Sequence, residues 1–224
     1  MGTPVAISIP EGYERWAPSY PQEPGNPLMR AEQQLMLGCF PAVRGRRVLD
    51  LACGSGRYVR LLRAAGAADV VALDASPKML GRVRGAARVC ASMVRLPFAA
   101  GVFDAVISGL AIGHAADLGA WMVEVARVLK SGGTCLYSDF HPQAAQAGLT
   151  RSFTDEQQQS YTLPHFTHEL AAQRAAASAA GLAISIAREV RVGIELTEPF
   201  DGSDVFYPRW PGLPLVLVVR AEKP

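Results

Sequence analysis

No apolar run in this chain reaches the roughly 18 residues that a bilayer span needs. That holds although half of its 224 residues are apolar. The longest apolar stretches, such as Leu213 to Val219, are strand-sized and interrupted by proline. The first residues lack the basic-then-apolar layout of a secretory leader. These absences predict a cytoplasmic protein with no membrane partner. The four cysteines, Cys39, Cys53, Cys90 and Cys135, have neither metal-type nor redox-type spacing, so they read as buried thiols and no metal is expected. Formal charge is only +2, and Arg44-Gly45-Arg46-Arg47 is too short a basic run for a nucleic-acid groove. What remains is a small-molecule partner and a monomer or homodimer. A chain of this length buries about 70% of its unfolded surface, so its core needs no covalent staple.

No internal repeat and no second domain are visible, so residues 1–224 read as one domain in three parts. Residues 1–40 form an N-terminal arm and lid helix. Prolines and aromatics crowd its start, including Tyr13, Trp16, Pro18, Tyr20 and Pro21. Proline removes a donor and fixes φ, so one regular element is excluded, while the aromatics argue against disorder. Asn26 followed by Pro27 predicts the start of a helix reaching about Phe40.

Residues 46–140 alternate strand and helix. Strands are expected at 48–51, 70–74, 88–91, 103–110 and 134–140, with helices at 57–65, 77–84 and 118–129. This spacing predicts an α/β fold: a Rossmann-like, doubly wound, mostly parallel sheet with helices on both faces. Residues 141–224 read as a substrate-side insertion followed by C-terminal strands at 183–192 and 215–220, the last antiparallel. Within it, 153–164 is polar and reads as an insertion or lid, and 168–180 as an alanine-rich helix ending at Gly181.

The loop Asp50-Leu51-Ala52-Cys53-Gly54-Ser55-Gly56 follows an apolar strand and opens a helix. Its amides and the helix N-terminus can meet a polar ligand group, and Ala52, Gly54 and Gly56 let ligand atoms approach the backbone. A dinucleotide fingerprint needs a third glycine, yet that position is Val59. Asp50 suits a ligand that brings an ammonium group. Asp74 ends the second strand, 20 residues after Gly54, where a carboxylate can accept from two ribose hydroxyls; the same residue can cap the helix that follows.

The segments Val48-Leu49-Asp50-Leu51-Ala52-Cys53-Gly54-Ser55-Gly56-Arg57, Ala72-Leu73-Asp74-Ala75-Ser76-Pro77-Lys78-Met79-Leu80, Leu96-Pro97-Phe98, Phe103-Asp104-Ala105-Val106-Ile107-Ser108 and Glu124-Val125-Ala126-Arg127-Val128-Leu129-Lys130-Ser131-Gly132-Gly133 stand in one order over residues 46 to 140. In this they resemble the class I methyltransferases that use S-adenosylmethionine (SAM). The likeness is to the small-molecule branch with a type 11 methyltransferase domain, which includes quinone and malonyl-carrier-protein methyltransferases. The resemblance implies SAM as cofactor. It implies that Asp74 and Ala75 lie at the ribose, and that Ser92, Met93 and Met79 frame adenine. Ser108 and Gly109 would meet the methionine end, and Tyr13 and Tyr20 would close over the cofactor. The family usually has Asp where Ser92 stands. Arg30 is a further candidate for the cofactor carboxylate.

The acceptor is not legible; O-, N- or C-methylation, or methylation of a carboxylate, all fit. Ligands of this fold sit at the C-terminal strand ends, which favours His114 and His141 as catalytic groups. Tyr137, Arg151, Tyr161 and His165 are expected to contact substrate, with Asp139 and His168 nearby. Two other readings stay open: an NAD(P)-dependent oxidoreductase on the same fold, and a protein that binds SAM without transferring its methyl group.

Overall fold

The computed structural model describes residues 4–193, 196 and 210–224. In chain order the elements are β1 (Val5–Ala6), α1 (Ile9–Trp16), α2 (Pro27–Gly38), β2 (Arg47–Leu51), α3 (Arg57–Ala64), β3 (Asp69–Asp74), α4 (Pro77–Arg82), β4 (Ala87–Cys90), β5 (Phe103–Ser108), a 3₁₀ turn (Ile112–His114), α5 (Leu118–Val128), β6 (Leu129–Phe140), α6 (Pro142–Gln146), β7 (Arg151–Thr154), β8 (Ser160–Leu163), α7 (Leu170–Ala179), β9 (Ala183–Arg191) and β10 (Pro214–Glu222).

Seven strands form the main sheet in the order β4-β3-β2-β5-β6-β10-β9. β4, β3, β2, β5 and β6 pair in parallel, and β10 inserts antiparallel between β6 and β9. The fold is the Rossmann-like sheet expected, with its antiparallel strand. The strand order reverses between β2 and β5, which opens a crevice at their C-terminal ends.

Alternation along each strand divides the core. Val48, Val70, Ala72 and Ile107 face the layer that holds α2 and α3. Leu49, Leu51, Val71, Leu73 and Val106 face the layer of α5 and α7. Both faces being covered explains why these strands read as continuous apolar runs. The Asn26 cap is as the sequence predicts, its Oδ1 accepting from the Met29 amide at 2.8 Å, and α4 is capped by Ser76 Oγ, which accepts from the Met79 amide at 3.1 Å.

Two expectations need correction. Residues 153–164, expected as a polar insertion or lid, are not polar throughout. β7 and β8 make a hairpin there, and β1 joins β8 to form a second, three-stranded sheet. Phe153, Tyr161 and Leu163 point inward and pack against Ile7, Tyr13 and Trp16, so the polar residues are the outer half of an alternating pattern. The cysteines are not all buried either: Cys39, Cys53 and Cys135 are, but Cys90 is exposed.

Candidate active site

A cleft opens at the C-terminal ends of β2, β3 and β5, where the strand order reverses. Its empty space, open solvent at the mouth included, is about 830 Å³. The floor is the β2–α3 loop. Ala52 and Gly54 hold φ of 56° and 54°, and across the cleft Leu110 holds φ of 54°. Left-handed backbone at two non-glycine residues lining one cavity is strain of the kind found at binding sites. α3 begins at Gly56, also left-handed, with no side-chain cap. Its first amides are therefore not consumed by a capping side chain.

Asp74 is fixed from both sides. One carboxylate oxygen accepts from the Gly54 amide at 2.8 Å and the other from the Ser76 amide at 2.9 Å. The helix cap itself is Ser76, and each Asp74 oxygen keeps a lone pair beyond its amide contact. Burial raises the Asp74 pKa, while those amides oppose the shift. Asp50 lies beneath the loop rather than in the cavity wall. It is 1% exposed, and neither carboxylate oxygen has a hydrogen-bond partner. Burial pushes its pKa up to about 7.

The arm supplies the outer wall. Tyr13 and Tyr20 line the cleft, as the resemblance implies, and the Tyr20 ring would be 3.8 Å from a Cβ at position 54. Tyr13 Oη lies 2.7 Å from His114 Nε2, and the two rings meet edge-on. Burial lowers the His114 pKa to about 2, with the Arg151 cation opposing protonation further. His114 is therefore neutral, and its Nδ1 is buried without a hydrogen-bond partner. The arm is seated by charge as well: Glu14 accepts from the Ser76 hydroxyl, and the Arg82 guanidinium donates to the Ala17 carbonyl.

Of the residues expected at the site, Tyr13, Tyr20, Ala52, Gly54, Asp74, Ala75, Met93, Gly109 and His114 line the cleft. Others stand elsewhere. Met79 is fully buried core. Ser92 is outside the lining; its hydroxyl accepts from the Val94 amide, closing a local turn. Ser108 is buried and donates to the Leu51 carbonyl at 2.8 Å, tying β5 to β2. Gly56 shapes the loop from behind, because a Cβ there would press on Val83.

His141 is also outside the cleft. It caps α6, accepting from the Gln143 amide, and its Nε2 is 3.4 Å from Glu189. Tyr137 falls on the α5/α7 side by strand alternation, where it donates to Gln173 at 2.9 Å and packs on Trp121. Tyr161 belongs to the small sheet's core. Arg151 and His165 form a buried layer behind the cleft rather than its wall. Arg151 donates to Asp139 at 2.7 Å and to the Leu110 carbonyl at 2.8 Å, and Asp139 also accepts from the Gly113 amide. His165 Nε2 lies 3.9 Å from Asp139. His168 is tied to the Ala115 carbonyl at 2.9 Å.

The residue missed in the sequence is Arg57. It lines the cleft while Arg30 does not. Its Nη1 lies 2.8 Å from Glu32 Oε2 and 3.3 Å from the Met29 carbonyl. Burial works against its charge, but Glu32 outweighs burial and the guanidinium stays charged. A signal for this pair did exist. Glu32 interrupts the inward stripe Leu28, Met29, Met36 of α2, and a buried carboxylate on such a stripe needs a cation.

These features define a nucleotide-type cleft on a Rossmann-like sheet. Residues 49–137 match the family described as "Methyltransferase domain". A malonyl-[acyl-carrier protein] O-methyltransferase of Enterobacter lignolyticus is 34% identical over 148 residues, 62% of this chain and 58% of that protein. A demethylmenaquinone methyltransferase of a Mycobacterium species is 38% identical over 123 residues, 54% of this chain and 52% of that one. The chain thus spans somewhat over half the length of these curated relatives. The crystal structure of an S-adenosylmethionine-dependent methyltransferase from Mesorhizobium loti superposes with a TM-score of 0.69 at 24% identity, over 86% of this chain and 98% of that one. Residues 49–137 thus resemble a methyltransferase domain, and the fold is shared with an S-adenosylmethionine-dependent methyltransferase of known structure.

Proposed function

We propose that this protein transfers a methyl group from SAM to a small-molecule acceptor. The observation that carries the reading is the Asp74 carboxylate. Its two oxygens are held by the Gly54 and Ser76 amides, at the edge of a cleft floored by the strained Ala52–Gly54 turn. That arrangement fits a ribose at Asp74. The apolar Ala91 and the Met93 backbone suit an adenine. The buried Asp50 carboxyl beneath the loop gains negative charge when a cation approaches it, and Arg57 supplies a cation in the wall. An amino-acid end with one ammonium and one carboxylate matches that pair of charges.

SAM, when bound, supplies the electrophilic methyl, and the protein contributes placement and a dry cavity. Tyr13 and Tyr20 exclude water at the mouth. Tyr13 and His114 are hydrogen-bonding groups that can orient an acceptor. His114 is a weak base, because burial disfavours its protonated form, so the pair serves best with an acceptor that is already nucleophilic or readily ionised. His141 has no part in this reading.

The oxidoreductase alternative is disfavoured by Val59. Its side chain is fully buried where a dinucleotide fold keeps glycine for close packing. A thermal-shift comparison tests the reading. S-adenosylhomocysteine is expected to raise the melting temperature and NADH is not; stabilisation by NADH alone would overturn it. Formation of S-adenosylhomocysteine from SAM with an added acceptor separates an enzyme from a protein that only binds the cofactor.

A further inference from the structure

Glu32 is 0% exposed, yet it makes three polar contacts to two other segments, α3 and β6. Oε2 pairs with Arg57 Nη1 at 2.8 Å. Oε1 accepts from the Tyr58 hydroxyl at 2.7 Å and from the Ser138 hydroxyl at 2.5 Å. Ser138 Oγ in turn accepts from the amide of Leu110 at 2.9 Å. Arg57 also donates to the Met29 carbonyl, one turn before Glu32 on α2. The Tyr58 ring lies directly against Gly109, so tightly that a Cβ there would run into it.

Two of the three direct partners, and the residues reached through Tyr58 and Ser138, border the cleft. Arg57, Tyr58, Gly109 and Leu110 all line it, and Leu110 is one of its strained residues. Both Arg57 contacts with protein oxygens use Nη1, so among the described residues no acceptor meets Nε or Nη2. Those N–H groups belong to a side chain only 7% exposed, which stands in the cavity wall. A buried guanidinium with unmet donors at a cavity is built for an anion.

We propose that Glu32 is a positioning residue: it fixes the Arg57 guanidinium so that its unmet N–H groups receive the carboxylate of the ligand's amino-acid end. This rests on the cofactor reading above. Glu32 satisfies enough of the Arg57 charge to keep it buried without consuming its outward donors. Through Ser138 it also holds the Leu110 amide, which sets the opposite wall at a fixed separation.

The test compares two probes that share adenosine and a thioether. S-adenosylhomocysteine carries the amino-acid end, and 5′-methylthioadenosine lacks it. Calorimetric affinities are measured for the wild type, Glu32→Gln, Arg57→Gln and the double variant. Glu32→Gln is expected to weaken S-adenosylhomocysteine by about tenfold, the scale of one charge-assisted hydrogen bond, and to leave methylthioadenosine nearly unchanged. On the Arg57→Gln background it is expected to add no further selective loss. Equal weakening of both probes by Glu32→Gln would mean a scaffold role and overturn the proposal, as would unaltered affinity for S-adenosylhomocysteine. If Glu32→Gln does not fold, Arg57→Gln decides: retained preference for S-adenosylhomocysteine overturns the proposal, and selective loss supports it. A wild type that binds neither probe would sink the cofactor reading and this proposal with it.

Discussion

Tyr13 and His114 meet at 2.7 Å across 101 residues of chain, one from the N-terminal arm and one from the turn after β5. The contact closes the arm over the cleft and joins the two parts of the molecule that enclose it. Tyr13→Phe keeps the ring contacts with Trp16 and Tyr20 but leaves His114 Nε2 buried without a partner. A loss of about 1–3 kcal/mol of stability is expected from urea unfolding, the cost of one orphaned buried group. Unchanged stability would show that the arm is not held there.

Asp74→Ala removes the acceptor of both the Gly54 and Ser76 amides as well as the proposed ribose partner. Affinity for S-adenosylhomocysteine is expected to fall by about 2–4 kcal/mol, the scale of one or two charge-assisted hydrogen bonds, measured by calorimetry. An affinity equal to that of the wild type would contradict the ribose assignment.

Asp50 makes ligand-free stability depend on pH. Its folded pKa of about 7 lies above the ordinary carboxylate value of 3.8, so the folded state binds the extra proton. Stability from this group is therefore full below about pH 4 and is lost as pH rises toward and through 7. Asp50→Asn, which cannot ionise, is expected to melt higher than the wild type at pH 8, with a smaller difference at pH 5. Equal differences at the two pH values would refute the assignment.

Glycines at two positions have opposite expected effects. Gly109→Ala drives a methyl into the Tyr58 ring and should cost about 1–3 kcal/mol by overpacking. Gly81 lies inside α4 with open space around it, so Gly81→Ala should stabilise by about 0.5–1 kcal/mol. Thermal or denaturant unfolding of both variants checks the signs.

His141→Gln should leave S-adenosylhomocysteine affinity and methyl transfer as in the wild type, because His141 caps α6 outside the cleft. His114→Gln should lower turnover with a candidate acceptor. A reversed ranking in steady-state assays would place the reacting end of the cleft elsewhere.

Much of the fold was legible in the sequence, because its signals are local. Alternating apolar strands and helices, Asn26-Pro27 and Ser76-Pro77 as caps, and the glycine loop each depend on neighbours a few residues away. The loop and Asp74 were legible as a site for the same reason: strand-end position follows from periodicity. The β7–β8 hairpin was not, since its outer residues are polar and its inner ones find their partners in the distant arm.

The sequence by itself determined a doubly wound sheet, a left-handed glycine turn and an acidic strand end, all set by backbone sterics and short-range pattern. Only the tertiary structure decided which side chains face the cleft. Strand alternation turned Tyr137 to the opposite layer, and capping took His141 away. The buried charge of Glu32 brought in Arg57, a residue 25 positions later in the chain. Burial also decided which groups stay neutral, leaving His114 uncharged at the wall and raising Asp50 beneath the loop. Such properties come from desolvation and pairing across distant segments, which no local pattern encodes.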